Sequence, residues 1–157
     1  MNARFSRWGL LALALMGLAS GCGSKGDGLV KHHVSGEVKV NGVPRKAVVV
    51  ALRHTDPSVK GNAAEPIAKT DESGLFRIST NGTGDGAVEG EYIVTFTWVS
   101  GDGTKDFLKG KYSKADKSEF RLQVAKDDLE PLTYELTALP EDVAAALADQ
   151  EASAAAN

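Results

Sequence analysis

Glu91 to Val99 (EYIVTFTWV) repeats with a period of two: Tyr92, Val94, Phe96 and Trp98 fall on one side, and Ile93, Thr95 and Thr97 on the other. Successive side chains of an extended chain point to opposite faces, so this segment can bury its aromatic set only as a strand in a sheet. The same period recurs along the chain. Val34, Val38 and Val40 share a face with Gly36, and Phe76 shares one with Ile78. Phe120, Leu122 and Val124 form another set, as do Leu132, Tyr134 and Leu136. Ala47 to Leu52 (AVVVAL) is a continuous apolar run of β-branched type, the pattern of a central, well-buried strand. Pro66 to Thr70 reads as a short strand.

Turn signals separate these segments. Asn41-Gly42 favours a tight hairpin turn, and Asp71-Glu72-Ser73-Gly74 combines a turn-capping acid with a permissive glycine. Asn81 to Gly90 is a Gly-rich loop, and Arg53 to Glu65 and Gly101 to Lys117 are polar and irregular. Seven short strands with no helix between them predict an all-β chain, a single antiparallel seven-stranded β-sandwich. Pro140 to Asn157 is Ala-rich; its apolar face is too small to bury strongly, so a frayed tail or short helix is expected.

Cys22 is the only cysteine, so no intrachain disulfide can form and the fold must rest on its hydrophobic core. Its context is specific. Arg4 and Arg7 precede an uncharged apolar run from Trp8 to Ala19, and the small residues Ser20 and Gly21 follow. Positive, apolar, small is the order of a secretory signal. The run is shorter than the roughly 20 residues a spanning helix needs. With the cysteine at the cut, Leu18-Ala19-Ser20-Gly21-Cys22 resembles the lipobox of bacterial lipoprotein precursors, although Ala19 stands where leucine is commonest. The resemblance implies cleavage between Gly21 and Cys22 and a lipid on the Cys22 sulfur. Residues 1–21 are then signal peptide, 22–32 a lipidated flexible tether, 33–138 the sandwich and 139–157 the tail. Gly23, where an aspartate would favour inner-membrane retention, leans the expected location toward the outer membrane of a bacterial envelope.

Cleavage would remove Arg4 and Arg7 and no acid, lowering the basic count from 18 to 16 against 21 acidic residues. The acidic balance argues against nucleic acid, which selects a basic patch, and against electrostatic membrane binding. The membrane would be held through the lipid alone.

The segments VSGEVKVNGVP (Val34–Pro44), AVVVAL, TDESGLFRI (Thr70–Ile78) and GEYIVTF (Gly90–Phe96) together resemble the carboxypeptidase regulatory-like domain, a transthyretin-like (prealbumin-like) sandwich. Lys111 to Val124 (KYSKADKSEFRLQV) is similar to the ending of small envelope lipoproteins carrying that domain. Lys46-Ala47 departs from the small pair usual before the second strand. The resemblance implies a structural or interaction module rather than an enzyme, with an envelope protein or glycan as partner and no cofactor.

No residue pattern offers a catalytic constellation. His32 and His33 are adjacent and would diverge on a strand, His54 lies a strand away, and no further ligand completes a zinc site. Ser35 and Ser100 stand outside any nucleophile-elbow motif. Asp71, Glu72, Asp102 and Asp106 lack calcium-loop spacing, and Asp85-Gly86 reads as turn chemistry. Trp98 and Tyr112 are candidates for stacking a sugar, the basis of an alternative role in carbohydrate or small-ligand binding. Trp98, in phase with Tyr92, Val94 and Phe96, is expected in the core. The expected contact surfaces are the edge strands and the loops Arg53–Glu65 and Gly101–Lys117.

Overall fold

The computed structural model describes residues 28–125 and 129–156. Gly21, Cys22, the expected signal segment and most of the expected tether lie outside the described residues. Strands dominate, followed by one C-terminal helix. The strands are β1 (Lys31–His32), β2 (Ser35–Val40), β3 (Val43–Pro44), β4 (Val48–His54), β5 (Ile67–Lys69), β6 (Leu75–Arg77), β7 (Ala87–Val88), β8 (Gly90–Trp98), β9 (Arg121–Val124) and β10 (Leu132–Leu136), and the helix is α1 (Pro140–Ala155).

Two four-stranded sheets carry the core. One has the order β5-β4-β8-β9; in the other, β2 is flanked by β10 on one side and by β3 and β6 on the other. A two-stranded pair, β1 with β7, stands apart. The longest pairing joins β4 to β8, from Val48↔Trp98 to His54↔Tyr92. Its inward face holds Val48, Val50, Leu52, Tyr92, Val94, Phe96 and Trp98, all at most 1% exposed. Across from it, Val38, Val40, Phe76, Ile78, Tyr134 and Leu136 belong to the same buried cluster. Phe96 sits among other rings, 4.9 Å from Tyr134 and 5.2 Å from Phe120, both edge-on. Edge-to-face packing suits the positive rim and negative face of aromatic rings.

Between β2 and β3, Asn41 (φ 53°) and Gly42 (φ 77°) both adopt the left-handed conformation. Both central residues of a type I′ hairpin turn require it, which the Asn-Gly dipeptide supplies at low cost.

The wholly antiparallel expectation is corrected at one place. β10 runs parallel to β2, with Tyr134 beside Val38 and Leu136 beside Val40. Parallel neighbours need a long crossover, and nearly the whole domain lies between these two strands. On the inward face the register sets Tyr134 and Leu136 against Val38 and Val40, and on the outward face Glu135 against Lys39, which sequence distance hid. Ten strand segments are present among the described residues, seven of them three residues or longer.

One boundary also shifts. The tether expected through residue 32 already forms strand at Lys31–His32, which pairs with Ala87–Val88. Of the frayed tail or short helix expected at 139–157, the helix forms, 16 residues from Pro140 to Ala155. Pro140 opens it, where its missing N–H costs nothing. Val143 and Ala146 are buried against the core, and Asp142 meets Lys109 at 2.8 Å. Farther along, the Asp149 carboxylate accepts from Gly101 N at 2.8 Å and Gln150 Nε2 donates to Lys46 O at 3.1 Å. These partners come from distant loops, so the small moment of the helix alone gave no sign of them.

Gly36 of β2 leaves no room for a side chain between β10 and Phe76. A Cβ there would lie 2.3 Å from Leu132 O and 2.9 Å from the Phe76 ring. Backbone cannot yield as a flexible side chain does, so Gly36→Ala is expected to cost about 1–3 kcal/mol. Urea unfolding should show a lower midpoint at unchanged slope.

Candidate functional site

One cleft is an open groove of about 970 Å³. β2 contributes Ser35 and Glu37, β5 Lys69, and β6 Leu75 and Arg77. Pro131 and the first residues of β10, Leu132 and Thr133, add to it, as do His33, Thr83 and Gly84. Alternation explains this lining. Phe76 and Ile78 turn inward, so Leu75 and Arg77 must turn outward. Ser35 and Glu37 stand cross-strand from Arg77 and Leu75.

The carboxylates of the groove are already engaged. Glu37 meets Lys39 at 3.0 Å. Asp71 Oδ1 accepts from Ser73 N at 2.8 Å and from Leu75 N at 3.0 Å, stapling the β5–β6 turn. Lys69 and Arg77 are exposed, and neither has an ion-pair partner among the described residues.

The end of the groove is shaped by Asp85. Its Oδ1 accepts from Thr80 N at 2.7 Å, and its Oδ2 from Gly82 N at 2.9 Å and Asn81 N at 3.2 Å. Lys31 Nζ adds an ion pair at 2.9 Å, which ties β1 to this loop. Burial opposes ionisation of Asp85, but the Thr80, Gly82 and Asn81 amides and the Lys31 ammonium outweigh it and hold the carboxyl well below the usual range. Gly84 N, bonded to Ser79 Oγ at 2.8 Å, fixes the tip that lines the groove.

The sequence-predicted candidates are scattered. Trp98 is 0% exposed and offers no face to a ligand, which corrects its candidacy for sugar stacking. Its ring lies 6.0 Å from Phe107, a residue of the Gly101–Lys117 loop that folds over the end of the core. Tyr112 is half-buried beside Phe96, and its hydroxyl accepts from Thr137 N at 3.0 Å. Burial pushes this phenol up, but the Thr137 and Lys111 partners more than offset it. The two rings therefore make no shared platform.

His54 is a packing residue. It stands edge-on to Tyr92 at 4.7 Å, and its Nδ1 accepts from Asp56 N at 2.9 Å. His33 reaches the groove and His32 lies in β1. No cluster of three metal-ligating side chains occurs among the described residues.

The loop acids serve backbone groups. Asp106 accepts from Trp98 N, Leu108 N and Gly110 N. Asp102 accepts from Ser100 Oγ and Thr104 N, with the Ser100 hydroxyl foremost in drawing its pKa down to about 2. Ser100 thus closes a turn, and Ser35 lines the groove without a base beside it in the hydrogen-bond network.

A second, smaller cleft of about 380 Å³ lies between Phe107–Lys111 and the start of α1. The Gly101–Lys117 loop lines it, while Arg53–Glu65 lines neither of these two clefts. Sequence reasoning missed the larger groove. Its residues are the outward members of strands whose inward members carried the signal, and only the pairing of β2 with β6 brings them together.

Comparison with protein-family models, curated proteins and solved structures found no match to this chain. Among the described residues, no helix is long and apolar enough to cross a membrane.

Asp85→Ala removes the acceptor of three backbone amides and is expected to cost about 1–3 kcal/mol near neutral pH. The folded pKa of Asp85 is depressed, so its stabilisation is present above the unfolded value of about 3.9 and is lost as pH falls toward the folded one. Denaturation measured from pH 6 down to pH 2 should show the gap between wild type and variant narrowing below about pH 4.

Proposed function

We propose that this protein is a lipid-anchored protein of the bacterial cell envelope, whose single prealbumin-like, carboxypeptidase regulatory-like β-sandwich serves as a non-catalytic interaction module. The observation that carries the reading is the position of Cys22, the only cysteine, directly after a positive, apolar and small-residue series. A thioether to lipid gives that lone thiol a use in an oxidising compartment, where a free one is a liability. Each buried methylene contributes about 0.8 kcal/mol, so a single acyl chain holds marginally and two or three hold firmly. The net negative charge leaves the lipid as the anchor.

The domain reading is supported by two sheets around one core, with seven strands of three residues or longer. β1 begins nine residues after Cys22, at Lys31, and its ion pair to Asp85 ties the chain to the loop at the end of the groove. A surface held this way stays close to the membrane, on the side of the outer membrane that export selects. Its role is to present the groove to a partner.

Intact mass of the membrane-extracted protein, wild type beside Cys22→Ala, tests the anchor. The wild-type chain is expected to start at Cys22 and to carry added acyl mass that the variant lacks. An unmodified wild-type chain cut elsewhere overturns the anchor.

A further inference from the structure

Lys69 and Arg77 come from different sheets, yet they line one groove. β5 and β6 are bridged at Ile67↔Ser79 and by Asp71 N donating to Leu75 O, and no β-pairing joins Lys69 to Arg77 between those two points. The two strands part there, and the groove opens over the parting with a cation on each lip. Neither acid of the lining is ion-paired to them: Glu37 meets Lys39, and Asp71 accepts from the turn amides. In the same lining stands an exposed apolar side chain, Leu75 (50% exposed).

We propose that this groove docks an extended peptide segment of a partner protein, one that carries an acidic and an apolar side chain two residues apart. Outward residues of a strand repeat every two positions, about 6.6 Å. The same spacing holds on an extended peptide, so a carboxylate set against Arg77 places the side chain two positions on against Leu75. Lys69 offers a second cation from β5. Arginine can hold a carboxylate through two parallel N–H bonds, which gives geometric selectivity as well as attraction. An acidic glycan would meet the cations too, but it has no use for Leu75. Among the described residues no Trp or Tyr lines the groove, and its Phe76 is 3% exposed. The inference rests on the reading of the domain as an interaction module and is independent of the lipid.

The test uses the full chain in detergent and a fluorescein-labelled peptide of sequence Asp-Ser-Leu-Ser-Asp-Ser-Leu, read by anisotropy. Saturable binding is expected, weakened about tenfold or more in the Lys69→Glu, Arg77→Glu double variant. Leu75→Ser should weaken it less, and Lys105→Glu, on the distant Gly101–Lys117 loop, should leave it unchanged. Arg77→Gln, which keeps a polar side chain at the same exposed position, guards against misfolding of the charge reversals and should also weaken binding. No saturable binding, equal binding by the double variant, or tighter binding of a galacturonate oligomer than of the peptide overturns the proposal. The mass of the Cys22 product decides the anchor separately, so failure of one reading is distinguishable from failure of the other.

Discussion

Everything in this domain leans on the antiparallel pairing of β4 with β8. Seven cross-strand pairs, from Val48↔Trp98 to His54↔Tyr92, set three aliphatic side chains and four large residues of β8 on one inward face. Each such side chain contributes about 1.5–3 kcal/mol on full burial, against the entropy of ordering the chain. No disulfide assists among the described residues, which hold no cysteine. The second sheet closes on this face through Val38, Ile78, Tyr134 and Leu136, and the buried Tyr134 phenol, with no hydrogen-bond partner, is pushed up to about 12. A one-residue slip of β8 would turn Trp98 and Phe96 to solvent, so the register is strongly specified.

The loops are organised by a different economy, that of single carboxylates serving several backbone donors. Asp71, Asp85, Asp102 and Asp106 each hold a turn in shape. An ionised carboxylate accepts such bonds more strongly than a neutral group does. The functional consequence is a partition of charge. The chain is acidic overall, but the acids nearest the groove are occupied, while Lys69 and Arg77 project into it. A net negative protein thereby keeps two cations without ion-pair partners among the described residues on one groove.

The helix shows how weak local signals become firm structure. In Pro140–Ala155 only Asp142, Val143 and Ala146 are buried. The segment is fastened instead by Lys109, Gly101 and Lys46, from a loop, a turn and the start of β4. None of these contacts has a local sequence signature. Parallel β10 is a similar case: its alternation was legible, but its neighbour and direction were not.

Local periodicity in the sequence determined the strands and their inward faces, because a period of two is imposed by backbone geometry within each segment. Residue chemistry alone also placed Trp98 in the core and identified Asn41-Gly42 as a hairpin turn and Asp71 and Asp85 as turn residues. The position of Cys22 likewise stands in the sequence, since signal recognition is linear. Only the tertiary structure decided which strands adjoin, that β10 runs parallel to β2, and that α1 docks. It alone brought Lys69 and Arg77 to one groove, because outward residues of separate strands become neighbours through long-range pairing, which no local pattern encodes.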